Sequence, residues 1–159
     1  MGLIEEAVAL ERTAEAGYRG AARATSDAGA RTIFLLLADA EAEHATALLG
    51  RKDAADLEGH NLVEQARTWV RGAVEGGGVL SSDAGLLPAL RRAMDAERAT
   101  EAFYRTHGAA ADDPRTRVLF GVLAEAEAEH YRFVSSLVEY YNRPHEWVES
   151  AEFGLRPEY

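Results

Sequence analysis

Apolar residues in the first part of the chain recur every three or four positions: Leu3, Ala7, Leu10, Ala14, Tyr18 and Ala21. That period puts them on one helical face and predicts a first helix over residues 3–25. Ser26-Asp27-Ala28-Gly29 interrupts the pattern, with Ser26 or Asp27 suited to cap the next helix. A second helix is expected from about Arg31 to Leu49. Residues 50–85 are rich in breakers, among them Gly59, Gly76-Gly77-Gly78 and Gly85. Within them Leu62, Ala66, Trp69, Val70 and Ala73 mark one amphipathic helix over 62–74. A third helix is expected over 86–109, capped by Ser82 or Asp83, then a turn at Asp112-Asp113-Pro114 and a fourth helix over 114–141. Asn142-Arg143-Pro144 is expected to end it. The tail 142–159 carries Trp147, Phe153 and Tyr159 to pack on the bundle or on a second subunit. The pattern predicts one all-α domain: a four-helix bundle of helix pairs 3–49 and 86–141, joined by a long crossover over 50–85.

The two pairs are copies of one unit. Laid over each other, residues 11–44 and 97–130 agree at 17 of 34 positions. The agreements include Glu11/Glu97, Tyr18/Tyr104, Arg31/Arg117, Phe34/Phe120 and the block Ala-Glu-Ala-Glu-His that ends at His44 and at His130. An Ala- and Glu-rich composition yields some identities by chance, but it does not align Tyr, Phe and His as well. The unit is a duplicated αα-hairpin.

That duplication brings together a set of metal-ligand residues. Glu41 precedes His44, and Glu127 precedes His130, by three positions. On a helix such a pair shares one face and offers an oxygen and an imidazole nitrogen to one point. Glu11 and Glu97 each lie 33 residues before the histidine of their own unit. With the turn halfway, the chain climbs about 24 Å and returns about 24 Å, so each glutamate comes back to the level of its histidine. Six inward ligands result: Glu11, Glu41, His44, Glu97, Glu127 and His130. One Glu from each of two helices and a Glu-x-x-His from each of the others is the arrangement of ferritin-like dinuclear carboxylate sites. Four gathered carboxylates repel, and two divalent cations about 3.5–4 Å apart would balance them. Glu11 with His44 would favour one ion, Glu97 with His130 the other, and Glu41 and Glu127 would bridge. One Glu-x-x-His is what chance supplies in a Glu-rich helix; two, each with an upstream Glu at equal distance, are not.

Tyr18 and Tyr104 lie two turns beyond Glu11 and Glu97 on the same face, suited to donate a hydrogen bond to a ligand carboxylate. A core tyrosine satisfied elsewhere is the alternative. Glu15 and Glu101 lie one turn after the first ligands, as extra ligands or as surface partners of Arg19 and Arg105. The four-residue Glu-to-Arg order favours the surface. Asp39, Glu43, Glu125 and Glu129 face away from the Glu-x-x-His face. His60, His107 and His145 stand alone, at the surface or in structural roles.

Composition narrows the partners. The net charge of −10 opposes binding to nucleic acid or an anionic membrane. No cysteine means no disulfide, thiolate iron centre or cysteine nucleophile. The longest apolar run, Ile33 to Ala38, is too short to span a bilayer, and the acidic start does not read as a signal peptide. A cytoplasmic protein is expected.

At these residues the chain resembles the rubrerythrin-like branch of the ferritin-like superfamily, over residues 5–49 and 90–140. Phe34 to His44 and Phe120 to His130 look like its second and fourth helix blocks; Glu11-x6-Tyr18 and Glu97-x6-Tyr104 look like its first and third. The resemblance implies two iron ions that react with hydrogen peroxide or dioxygen, often in a homodimer. Two departures matter. Rubrerythrins proper carry a rubredoxin-type centre on four cysteines, so here electrons would come from a separate donor protein or from ferrous iron itself. They also carry a Glu three residues after the third-helix ligand, and here that position is Thr100.

Three functions compete: a peroxide- or dioxygen-reducing enzyme, an iron oxidation or storage protein without peroxidase turnover, and a non-catalytic helical module acting through its aromatic tail. Ligand spacing does not separate iron from manganese or zinc.

Overall fold

In a computed structural model, residues 2–50, 53–58, 62–75 and 84–153 are described. Six helices run in order: α1 Leu3–Ala24, α2 Ala28–Leu48, α3 Ala54–Glu58, α4 Leu62–Glu75, α5 Leu86–Ala110 and α6 Pro114–Phe153. The described residues form an all-α bundle. Pairs α1–α2 and α5–α6 make the two tight hairpins, while α4 lies against α2 and α6.

The buried face of α1 is Ala7, Glu11, Tyr18 and Ala22. On α5 it is Leu86, Leu90, Glu97, Thr100, Tyr104 and Gly108, which repeats Glu11, Tyr18 and Ala22 at the duplicated positions. α2 is buried over more of its circumference, from Ile33 and Phe34 to Ala47 and Leu48, because α4 covers a second side of it. Core residues fall into two apolar groups. One holds Ile33, Phe34, Leu37, Leu90, Phe133 and Leu137; the other holds Ala7, Leu48, Tyr104, Phe120 and Leu123. The Glu-x-x-His residues occupy the chain positions between these groups, so a charged layer is closed at both ends by hydrocarbon. Truncating a buried Phe such as Phe34 or Phe120 to Ala costs about 3–5 kcal/mol, several times the worth of an exposed ion pair, so these two groups hold the layer in place.

The hairpin turns show why some duplicated residues were retained. Asp27 caps α2, its Oδ1 accepting from the Ala30 N–H at 2.6 Å. Asp113 caps α6 by accepting from the Thr116 N–H at 3.0 Å, with Pro114 as the first helical residue. The Arg31 guanidinium donates to the Thr25 carbonyl at 3.0 Å and the Ala22 carbonyl at 3.3 Å. Arg117 donates to the Ala111 carbonyl at 2.8 Å. Each arginine therefore satisfies carbonyls at the end of the preceding helix, where the helix dipole favours a cation.

Three expectations need correction. α2 starts at Ala28, not near 31: with Asp27 as cap, Gly29 sits inside the first turn instead of breaking the chain. The break between the first two helices falls at residues 25–27, and α2 itself ends before Gly50, whose φ of +71° lies in the left-handed region open to glycine. The fourth helix does not stop at 141 but runs on to Phe153. Pro144 removes one backbone donor without ending the helix, so residues 142–153 are helix and not a separate tail. The crossover holds the expected helix, as α4, and also the short α3. Ala66 of α4 is fully buried and Val70 packs on the core. Ser82, Asp83, Tyr159 and the side chains of Leu62, Trp69, Ala73, Trp147 and Phe153 lie outside the described residues. Gly85 stands at the cap position of α5. Among the described residues no helix is long and apolar enough to cross a membrane.

α5 and α6 approach closely at Gly108, where an added Cβ would meet the Phe120 Cβ at 3.1 Å. Phe120 is fully buried and has no room to retreat. Gly108→Leu is expected to lower the unfolding free energy by about 1–3 kcal/mol in urea denaturation. An unchanged midpoint would show that this contact is not tight.

Candidate metal centre

All six carboxylate and imidazole side chains singled out by spacing meet in the charged layer, and none is more than 5% exposed. His44 Nδ1 lies 2.9 Å from Glu127 Oε1, 3.2 Å from Glu41 Oε2 and 3.3 Å from Glu11 Oε2. His130 Nδ1 lies 3.0 Å from Glu41 Oε1 and 3.6 Å from Glu97 Oε2. Glu41 thus turns one oxygen toward each histidine. The two imidazole rings stack with centroids 5.4 Å apart and planes 12° from parallel.

The atoms form two groups, Glu11/Glu41/His44/Glu127 and Glu41/Glu97/Glu127/His130, each with one ligand atom per residue and all such atoms within 4.8 Å of one another. Glu41 and Glu127 belong to both groups. Glu11 falls only in the group of His44, and Glu97 only in the group of His130.

Hydrogen bonding within the protein leaves this layer incomplete. Three carboxylate oxygens crowd His44 Nδ1, which carries at most one hydrogen and is aligned with Glu11 Oε2. Glu41 Oε2 and Glu127 Oε1 are left buried without a hydrogen-bond donor among the described residues. A buried carboxylate oxygen lacking a donor is costly, and a cation is the partner that satisfies it. The donor set fits this: oxygens and imidazole nitrogens suit iron, manganese or zinc.

The electrostatics point the same way. Burial pushes Glu127 far above the usual carboxylate range, and Glu41, Glu11 and Glu97 push it further. Burial raises Glu11 to about 7, with His44 pulling against it. Glu41 is buried as deeply, but His130 and then His44 outweigh that burial and hold it low. Burial would lower His130, yet Glu41 and Glu97 bring it up to about 10. Burial works against His44 too, and it is raised in the same manner, chiefly by Glu11. These shifts favour the protonated forms of Glu127, Glu11, His44 and His130 when no metal is bound.

Tyr18 and Tyr104 do reach carboxylates of the layer, but across the bundle. The Tyr18 hydroxyl on α1 donates to Glu97 Oε1 on α5, and the Tyr104 hydroxyl on α5 donates to Glu11 Oε1 on α1. Burial and the adjacent carboxylates raise both phenols, so both remain protonated donors. Spacing along one helix indicates a carboxylate partner and leaves open which one.

Four further acids are ion-paired near the surface. Glu15 takes Arg12 at 2.7 Å and Arg19 at 3.0 Å, and Glu101 takes Arg105 at 2.7 Å. Arg19 also reaches Asp39 at 3.1 Å, and Arg105 reaches Glu125 at 3.0 Å. Neither Glu15 nor Glu101 joins the layer. Thr100 is buried, but its hydroxyl donates to the Ala96 carbonyl at 3.1 Å and is spent on its own helix. His107 rests its ring 4.4 Å from that of Phe103. His60 and the His145 side chain lie outside the described residues.

Fold and site together define a ferritin-like helical bundle with a buried Glu/His cluster able to hold metal ions. A family model described as Rubrerythrin matches residues 3–138, and the chain belongs to the rubrerythrin family. No curated protein and no solved structure matches it significantly.

The retained protons have two measurable effects. Ligands must be deprotonated to bind metal, so binding displaces protons from His130, His44, Glu127 and Glu11. With Glu11 near 7 and His130 near 10, metal affinity should climb as pH rises from about 6 to about 9, with protons released into weak buffer. A pH-independent affinity would contradict this charge assignment. Because Glu127 is held protonated, Glu127→Gln should change metal-free stability by less than about 1 kcal/mol. The stabilisation by metal, about 2.7 kcal/mol at a hundredfold excess over Kd, should disappear in the same variant. Thermal denaturation with and without metal reads both.

Proposed function

We propose that this chain is a dinuclear iron oxidoreductase that reduces hydrogen peroxide or dioxygen. The observation that carries the reading is the pair of overlapping ligand groups sharing Glu41 and Glu127, with a buried, donorless oxygen on each shared residue. Four carboxylates match the charge of two divalent ions. Membership of the rubrerythrin family supports iron over manganese or zinc. When bound in its reduced form, the ion pair supplies the two electrons that cleave an O–O bond.

The residues of the chain set the conditions for that chemistry. Glu11 and His44 would hold one ion and Glu97 and His130 the other, with Glu41 and Glu127 available to both. Tyr18 fixes Glu97 by its Oε1, and Tyr104 fixes Glu11 likewise, so that Oε2 of each faces a histidine. The apolar groups on both sides exclude water and strengthen every charge interaction in the layer. The given sequence has no cysteine to carry a second, thiolate-bound iron centre, and in this reading the reducing equivalents come from a separate donor protein or from ferrous iron itself. We place the protein in the cytoplasm, as a homodimer.

The test loads metal-free protein with Fe(II) under anaerobic conditions, counts iron, and mixes it with hydrogen peroxide or with dioxygen. Two irons per chain and rapid growth of diferric absorption are expected, both lost in Glu41→Ala. Silence toward both oxidants would defeat the proposal. Many irons per chain after aerobic loading would mark an iron-storage protein instead.

A further inference from the structure

The two halves meet loosely along α1 and α5, which enclose a half-open cavity of about 690 Å³. A hydrogen peroxide molecule needs little more room than a water, about 30 Å³, so the cavity is an order of magnitude too large for it. Cavities of this size, mainly apolar with a few polar groups, are where small organic molecules bind. The walls are made of small and aliphatic residues: Leu10, Ala14 and Ala21 from α1, and Leu86, Ala89 and Ala93 from α5. Between Leu86 and Thr100 the groove extends about 21 Å along the helix. Gly17 also lines it, and a Cβ built there would meet nothing within 4 Å.

Apart from the hydroxyl-bearing Thr13 and Thr25, polar groups enter the lining at two places with opposite character. At the inner end stand Tyr18, Glu97 and Thr100. Their hydrogen-bonding capacity is largely taken: Tyr18 donates to Glu97, and Thr100 donates to Ala96. That end offers a neutral molecule contact and repels an anion. About 7.5 Å from Glu97 and about 12 Å from Thr100 along α5 stands Arg92, the only cation among the described lining residues, in a chain of net charge −10. Arg19 and Arg105 have their guanidinium groups taken by acids, whereas no acid among the described residues pairs with Arg92. A long apolar trough with a guanidinium at one side, unpaired among the described residues, and a closed polar set at the other matches an amphiphile with one anionic head.

We propose that the α1–α5 groove binds a medium-chain monocarboxylate, its carboxylate at Arg92 and its alkyl chain along Ala21, Gly17 and Ala93 toward Glu97. Guanidinium and carboxylate pair in the forked geometry that makes such contacts strong. The alkyl chain removes apolar wall from water, which supplies the remainder of the affinity. The far end of the chain then lies against Glu97, which makes the bound molecule a substrate candidate of the same centre. Only this last step rests on the oxidoreductase reading; the binding does not.

Metal-free and iron-loaded full-length protein are titrated with decanoate below its micelle concentration, by calorimetry and thermal shift. One saturable site per chain and a raised Tm are expected in both forms. Arg92→Gln should weaken decanoate about tenfold, and decanol should bind the wild type about tenfold more weakly than decanoate, each lacking the charged contact. Gly17→Leu, which has open space to grow into, should abolish binding, and Ala93→Phe serves as an independent block from the facing helix. Circular dichroism confirms that the variants fold, and iron counting on them separates loss of the groove from loss of the centre. Absence of saturable binding overturns the proposal, as does binding that survives both blocks. So does a dimer, seen by sedimentation, that both blocks dissociate and decanoate does not compete with, because a second copy would then be the occupant.

Discussion

Four carboxylates in a space closed to water would drive a helical bundle apart unless positive charge stands among them. Everything else in this fold answers that constraint. Phe34, Ile33 and Phe133 on one side and Phe120 and Leu123 on the other supply the cohesion that opposes the repulsion. The two imidazoles and the retained protons neutralise part of the charge, unevenly: Glu41 is held low between both histidines while Glu127 is forced upward. The layer is thus close to balanced without metal and still leaves two oxygens without donors among the described residues.

Most of the centre is legible in the chain because it obeys helix geometry. Three-residue Glu-to-His spacing and the equal upstream distance of Glu11 and Glu97 constrain positions along a helix axis, and the two helices of each hairpin run side by side. What lies between hairpins is less legible. Tyr18 and Tyr104 announce a carboxylate partner, but a residue two turns along a helix faces both its own glutamate and the neighbouring helix, and only packing decides between them. Boundaries mislead for similar reasons. Gly29 has the look of a breaker, although Asp27 just before it has already supplied the cap. Pro144 has the look of a stop, although one missing donor in a long helix is a smaller loss than ending it.

The α1–α5 groove leaves no trace in the hydrophobic pattern. Ala14 and Ala21 belong to the apolar stripe of the first helix, and in the structure they line open space together with Gly17, Ala89 and Ala93. Small side chains permit contact without enforcing it. The hairpins themselves are tight, held by Arg31 and Arg117 at their turns and by Gly108 against Phe120, so the slack of the bundle is concentrated where the duplicated units face each other.

The exchanged phenols make neither hairpin complete by itself. A hairpin standing alone would hold its phenol and its glutamates, yet the phenol's acceptor would belong to another molecule. Each half therefore closes its polar interior only beside the other. The halves need not match elsewhere, and Gly20 in one stands where Thr106 stands in the other.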